Sequence, residues 1–147
     1  MTLLDASEEP VSKARRYAIS GIALLILSGL GVWYLLRFNS EKRTIQHFMD
    51  AVVAGNFEQG YQIWKPQGSY TYGDFLGDWG ERGYYGPVQS YRIESLARPR
   101  NGGSGVIVVV AISPFRPFPA DNDPQSRRNR EVRLWVERND QSISFPP

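Results

Sequence analysis

The sequence predicts an α+β protein in which one N-terminal transmembrane helix is followed by helices packed on a curved antiparallel sheet of about four strands. Three observations lead to this fold class. Residues 17–36 contain no formal charge, residues 40–79 place apolar side chains at helical spacing, and residues 88–145 contain β-branched or alternating runs between turn signals. Helices and strands that follow each other in separate blocks are typical of an α+β domain.

The apolar segment at residues 17–36 has the length and composition of a membrane span. Its twenty residues would extend about 30 Å as a helix, which is the thickness of the hydrocarbon core of a bilayer. Ten of them are Ile, Leu or Val, each of which favours insertion by about 0.3–0.6 kcal/mol. A cleaved signal peptide would have a shorter apolar region and a small-residue cleavage site, whereas this segment continues into Arg37.

Small and aromatic residues in this segment are candidate partner contacts. Gly21, Ser28 and Gly29 would let another helix approach closely, and Trp33 suits the interface between lipid and water. The predicted divisions of the chain are a short polar tail at 1–16, a transmembrane helix at 17–36 and a small α+β domain at 37–147.

Positive charges near the span do not decide its orientation. Three cations lie on each side of it: Lys13, Arg15 and Arg16 before, and Arg37, Lys42 and Arg43 after. Because the leading tail is short and no other span is predicted, we expect the tail in the cytoplasm and the domain outside it, in a periplasmic space.

Three amphipathic helices are predicted after the anchor. The first has apolar residues at i, i+3, i+4, i+7 and i+8, starting at Ile45, which form one stripe that must be buried. The helix caps are predicted at Asn39 or Ser40, at Asn56 with Gln59 in capping-box spacing, and at Thr71 with Asp74 in the first turn.

Four strands are predicted in the second half of the chain. Residues 106–112 form a nearly continuous β-branched run, which is typical of a central, buried strand. Residues 131–137 alternate, so that Trp135 lies on the face opposite the core. The other two strands are predicted at 88–96 and 142–145, and a proline-rich polar loop at 114–129 is predicted to be mobile or to dock on a partner.

The composition limits the chemistry of the protein. Without cysteine the chain has no disulfide, thiol nucleophile or cysteine metal site, and with His47 as its single histidine it has no histidine-rich metal site. A net charge of +2 is too small to indicate a nucleic-acid partner. We therefore predict no cofactor, no metal and no catalytic residue.

Several polar and aromatic residues are candidates for a functional site. His47 with Asp50, and Asp74 with Asp78, lack the further groups that catalysis or a hard cation requires. The aromatic residues between 61 and 85 have helical spacing, which favours core packing over a ligand pocket. In the proline-rich loop, the candidates for partner contact are Phe115, Phe118, Arg127 and Arg128.

The order of segments resembles a known class of domain. Residues 48–64, 69–80 and 86–96, followed by an apolar strand, a strand with a tryptophan and a short SISFPP end, resemble small bacterial domains of the nuclear-transport-factor-2-like, or cystatin-like, class. The phrase at 54–61, AGNFEQGY, is similar to one that recurs near the start of such domains. This resemblance implies a conical pocket between helix and sheet; the His/Asp pair of the enzymes in the class is absent from the strands. A weaker resemblance, in plan only, is to anchored assembly factors of respiratory oxidase.

Two functions follow as hypotheses. The first is a membrane-anchored, non-catalytic accessory protein, a small subunit or assembly factor of a larger membrane protein complex of respiratory or photosynthetic type. The second is a membrane-tethered domain that binds a small ligand or lipid in a pocket between helix and sheet. An empty cavity there would favour the second, and a filled core the first.

Overall fold

The computed structural model describes residues 12–147, and within them it contains four α-helices and one four-stranded antiparallel sheet. The described residues divide into two compact units, one that ends at Arg37 and one at 38–147. The helices are α1 (Lys13–Leu36), α2 (Asn39–Val53), α3 (Phe57–Trp64) and α4 (Tyr72–Trp79), and the strands are β1 (Ser90–Ala97), β2 (Gly105–Ser113), β3 (Arg130–Glu137) and β4 (Ile143–Ser144).

Helix α1 is long and apolar, with a mean hydropathy of 2.1 over its most apolar window. It begins at Lys13, four residues before the predicted start, because the Ser12 hydroxyl accepts a hydrogen bond from the Arg15 N–H and the residues that follow favour helix. None of its side chains is buried. Of the polar tail predicted at 1–16, residues 1–11 lie outside the described residues, and residues 13–16 belong to α1.

Helix α2 buries the stripe that its spacing predicted. Ile45, Phe48, Met49 and Val52 are all buried. The predicted cap is wrong: the helix already includes Asn39, its N-cap is Phe38, and the Ser40 hydroxyl donates to Glu41 instead of capping the helix. Phe38 packs against the core and makes no side-chain capping hydrogen bond.

The two shorter helices begin where their caps predicted. The Asn56 side chain accepts a hydrogen bond from the Gln59 N–H at the start of α3. At α4 the capping box is complete, because Thr71 accepts from the Asp74 N–H while the Asp74 carboxylate accepts from the Thr71 N–H at 2.8 Å.

The sheet has the strand order β1-β2-β3-β4 with all neighbours antiparallel. Strand β2 is central, as its composition predicted, and β3 lies beside it. Alternate side chains of these two strands face the helices and are buried: Val106, Val108, Val110, Ile112, Val132, Leu134 and Val136. Strand β4 pairs with β3 through only two residues, so it forms a short edge of the sheet.

Candidate functional site

Aromatic rings fill the space between the helices and the sheet. The Phe48 ring centroid lies 5.3 Å from that of Trp64 and 5.0 Å from that of Trp79. Phe75 lies 6.1 Å from both Phe48 and Trp64, and all four rings are buried. Core packing of Trp64, Phe75 and Trp79 is therefore confirmed, and side chains occupy the region where the resemblance implied a conical pocket.

A half-open cleft of about 320 Å³, which we call the edge cleft, lies beside β4. One wall is the end of α3 with the loop that follows it, and the other is formed by β3, β4 and the residues after β4. Its lining residues are Trp64, Lys65, Gln67, Tyr70, Trp135, Glu137, Ser142, Ile143, Ser144 and Phe145. The cleft therefore combines four aromatic rings with polar side chains at the sheet edge.

Lys65 connects the two walls of the edge cleft. It adopts a left-handed conformation with φ of 50° and ends α3, and its ammonium group donates to the Asp140 carbonyl in the turn between β3 and β4. In the same turn the Asp140 carboxylate accepts from the Ser142 hydroxyl at 2.7 Å and from the Ser142 N–H at 2.9 Å. These bonds, together with the charge of Lys65, hold the pKa of Asp140 below its usual value.

Tyr70 forms a fixed part of the helix-side wall. Its hydroxyl donates to Asp78 at 2.7 Å, and its ring stacks on Trp64 with centroids 5.7 Å apart. Burial, followed by the hydrogen bond to Asp78, raises the pKa of Tyr70 well above its usual value. The protonated Tyr70 hydroxyl therefore serves as the hydrogen-bond donor that joins the loop after α3 to Asp78 on α4.

Trp135 forms the wall on the other face of the sheet. Its indole lies against Gly105, where a Cβ atom would come within 2.5 Å of indole Cζ2 and Nε1, and a Cβ atom at Gly103 would also meet the ring. Two glycines thus leave room for the ring to lie flat on the strand. The predicted orientation of Trp135, away from the core, agrees with its half-buried side chain beside the buried Leu134 and Val136.

Three of the four polar candidate residues accept structural hydrogen bonds. Asp50 accepts from the Tyr91 hydroxyl at 2.8 Å, Asp74 belongs to the capping box, and Asp78 accepts from Tyr70. His47 is exposed on α2. Among residues 12–147 no three His, Cys, Asp or Glu side chains cluster in a way that would hold a metal ion.

The candidate partner contacts on α1 are all exposed. Gly21 and Gly29 have no atom within 4 Å of the position of a Cβ, and Trp33 is 61% exposed. The Ser28 hydroxyl donates to the Leu25 carbonyl of its own helix at 3.0 Å. Their role in helix pairing stays a prediction.

The candidate contacts in the proline-rich loop are partly covered. The Arg128 guanidinium lies 5.4 Å from the Phe115 ring centroid, and the Arg92 guanidinium lies 4.9 Å from that of Phe118. Arg127 is exposed on the short 3-10 helix Pro124–Arg128 that the loop contains. The structure thus brings Phe115 and Arg128 together, at a place that shares no lining residue with the edge cleft.

Sequence reasoning missed the edge cleft as a site. The outward face of Trp135 was a usable signal, because an alternating strand places a large aromatic ring opposite the core. The pairing of Lys65 with Asp140 had no local signal, since the two residues are 75 positions apart.

Comparison of the chain with known protein families, with curated proteins and with solved structures found no match. The resemblance to nuclear-transport-factor-2-like domains therefore stays a prediction. A functional assignment for this chain has to come from its own geometry.

Proposed function

We propose that this chain is a single-pass, membrane-anchored accessory protein without catalytic activity, whose domain docks on a larger membrane protein complex through the edge cleft. The observation that carries this proposal is the edge cleft itself, an aromatic-lined groove beside a sheet edge. Extended peptide segments bind at such edges by adding a strand, and neighbouring pockets take their alternate side chains.

The length of helix α1 supports its proposed role as a membrane anchor. Its 24 residues extend about 36 Å, enough to cross the hydrocarbon core of a bilayer. Tyr34 lies near its C-terminal end, with the Arg37 guanidinium 4.3 Å from the ring centroid. An aromatic ring beside a cation suits the boundary between lipid and water.

The edge cleft has the features of a protein contact. Strand β4 has β3 as its one strand neighbour, so its outer side is open to an added strand. Pro146 and Pro147 come after Phe145 and discourage further edge pairing, so an added strand is limited to the residues before them. Tryptophan and tyrosine are among the side chains that contribute most at protein interfaces, and the cleft presents the half-buried Tyr70 and Trp135 beside the buried Trp64.

The ionisable groups of the edge cleft argue against catalysis. Asp78 and Tyr70 are bound to each other, and the Glu137 carboxylate accepts from the Ser104 hydroxyl at 2.8 Å. Lys65 is bound to the Asp140 carbonyl. With these groups engaged in structural hydrogen bonds, no nucleophile and base face each other across the cleft.

Site-specific crosslinking tests this proposal in native membranes. A photo-reactive p-benzoylphenylalanine replaces Ser144 or Gln67, both exposed in the edge cleft, or Glu58, exposed on α3 away from the cleft. We expect the first two positions to crosslink to one membrane protein and the third not to. In mild detergent the unmodified chain should migrate within a large assembly. Migration alone, with no crosslink from either cleft position, would refute docking.

A small-ligand or lipid pocket is the second candidate function. A volume of about 320 Å³ lies at the small end of the range of ligand pockets, and the edge cleft has aromatic walls. Because rings fill the space between helices and sheet, this candidate also rests on the edge cleft. A small molecule that co-purifies with the unmodified chain but not with the Trp135→Ala variant would favour a ligand pocket over docking.

A further inference from the structure

A second cleft, of about 270 Å³, lies on another part of the domain. It is bounded by the segment after α4, by the end of β2 and by the chain where it enters β3. Its lining residues are Tyr85, Gly86, Pro87, Ile112, Ser113, Pro114, Arg128 and Arg130. The lining contains two cations and no carboxylate, and we call it the arginine cleft.

The two cations of the arginine cleft are not neutralised within the described part of the chain. Arg92, Arg133 and Arg138 each pair with a carboxylate. Arg128 and Arg130 pair with none in residues 12–147, although the domain contains almost as many acidic as basic residues.

Aromatic rings hold these two guanidinium groups in place instead. Arg130 lies 4.5 Å from the Tyr84 ring centroid and 5.4 Å from that of Tyr85, and it donates to the Tyr84 carbonyl. Arg128 lies over Phe115. A ring face orients a guanidinium without removing its charge, and most of the five N–H donors of each group remain available.

A buried hydroxyl adds a third donor. Ser113 is 1% exposed, and its oxygen accepts from the Phe115 N–H at 3.2 Å. Its own proton donates to no residue in the described chain. A buried hydroxyl with an unused proton on the wall of a cationic cleft suits a negatively charged acceptor.

The nearby carboxylates are engaged elsewhere. Asp121 pairs with Arg92 at 2.9 Å, and Asp123 caps the 3-10 helix by accepting from the Gln125 N–H at 2.8 Å. Burial raises the pKa of Tyr85, the charges of Tyr84 and Asp78 raise it further, and the charge of Arg130 lowers it. The Asp78 carboxylate itself accepts a hydrogen bond from the Tyr70 hydroxyl. Among residues 12–147, none of these carboxylates forms an ion pair with Arg128 or Arg130.

We propose that the arginine cleft binds a phosphoryl oxyanion, through Arg128 and Arg130 with the Ser113 hydroxyl as an additional donor. Two guanidinium forks and a hydroxyl match a group with three or more acceptor oxygens better than a carboxylate with two. Ile112 and Pro114 provide an apolar floor for the group that carries the phosphate. The phosphate is either free in solution or part of a lipid headgroup. This site does not depend on docking at the edge cleft.

The test titrates inorganic phosphate into the full chain in maltoside micelles, and follows the arginine Nε–H resonances at constant ionic strength. We expect a saturable shift of the Arg128 and Arg130 signals. Arg128→Gln should weaken phosphate binding at least fivefold, and Ser113→Ala about two- to fivefold. The matched control is Arg133→Gln, which removes the same charge from β3 outside the cleft and should leave binding within twofold.

A second experiment, with lipid bilayers, distinguishes a free phosphate from a lipid headgroup as the ligand. The chain is placed in phosphatidylcholine nanodiscs that contain either phosphatidic acid or uncharged diacylglycerol. A shift with inorganic phosphate supports a soluble ligand, and a shift only with phosphatidic acid supports a headgroup, provided that Arg128→Gln removes it. The proposal is overturned if neither probe gives a saturable shift, if acetate gives the same shift, or if Arg133→Gln weakens binding as much as Arg128→Gln.

Discussion

At the scale of single residues, the contact between Gly105 and Trp135 shows how a missing side chain positions a large one. The strand residue under the indole has no Cβ, so the ring lies against the backbone of β2 and forms a wall of the edge cleft. Gly105 is buried beneath the ring, and its φ is not in the left-handed region. The space at Gly105, rather than an unusual backbone conformation, is what requires glycine there.

We predict that Gly105→Ala lowers the free energy of unfolding by about 1–3 kcal/mol, because the added methyl group would overlap the indole and force it off the strand. The measurement is denaturant unfolding of the full chain in detergent, followed by tryptophan fluorescence. The emission of the folded variant should also shift to the red as Trp135 moves into water.

The control for this prediction is Gly77→Ala on the exposed side of α4. No atom lies within 4 Å of its Cβ position, so alanine should stabilise the helix by about 0.5–1 kcal/mol. Equal stability of Gly105→Ala and the unmodified chain, with unchanged emission, would contradict the close packing of Trp135.

At the scale of elements, a polar cluster joins the start of α2 to the turn between β3 and β4. Glu41 is 1% exposed, and its carboxylate accepts from Arg138 Nε at 2.9 Å and from the Ser40 hydroxyl at 2.9 Å. One turn later, the Thr44 hydroxyl donates to the Gln141 side chain at 2.8 Å. Together with Lys65 and Asp140, these bonds hold the turn against both α2 and α3.

We predict that Arg138→Met lowers the free energy of unfolding by about 1–3 kcal/mol, because it leaves the buried Glu41 carboxylate without its cation. The solvent exposure of Arg138, at 40%, places the effect below that of a fully buried pair. Thermal and denaturant unfolding measure it, and the double variant Glu41→Met with Arg138→Met should recover much of the loss.

The matched control is Arg133→Met, which breaks an ion pair whose side chains are 69% and 56% exposed. Exposed pairs contribute little, so the change should stay within about 0.5 kcal/mol. A loss at Arg138 no larger than at Arg133 would show that the buried carboxylate does not need its partner.

The elements themselves were largely predictable, because their signals are local. The stripe that begins at Ile45 and the caps at Asn56 and Thr71 depend on residues within one or two turns of each other. The predicted cap at Asn39 or Ser40 is wrong: the helix starts directly after Phe38, which packs against the core, and the Ser40 hydroxyl bonds to Glu41. The edge cleft had one local signal, the outward face of Trp135 on an alternating strand. The arginine cleft had no such signal, because Arg130 and Tyr84 are 46 positions apart and no local pattern pairs them.

At the scale of the whole molecule, the side of the membrane on which the domain lies can be tested by chemical labelling. Because the chain has no cysteine, a single introduced cysteine reports its own position without background. Asn101→Cys lies in the exposed turn between β1 and β2, and Ser12→Cys lies at the start of α1.

We predict that a membrane-impermeant maleimide labels Asn101→Cys in intact cells and labels Ser12→Cys only after permeabilisation. Both variants should stay in the membrane pellet after washing with alkaline carbonate if α1 crosses the bilayer. The reverse labelling pattern would place the domain in the cytoplasm, and release by carbonate would rule out α1 as an anchor.

The bonds between α2 and the last turn of the sheet also determine when the domain can fold. Glu41 and Arg138 are 97 positions apart, and Ile143 of β4 is buried in the core. Since these distant segments complete the core, folding of the domain has to wait until residues 138–143 have been synthesised. Helix α1 therefore leaves the ribosome before the domain that follows it can fold, and a chain that lacks residues 138–143 would leave the core incomplete.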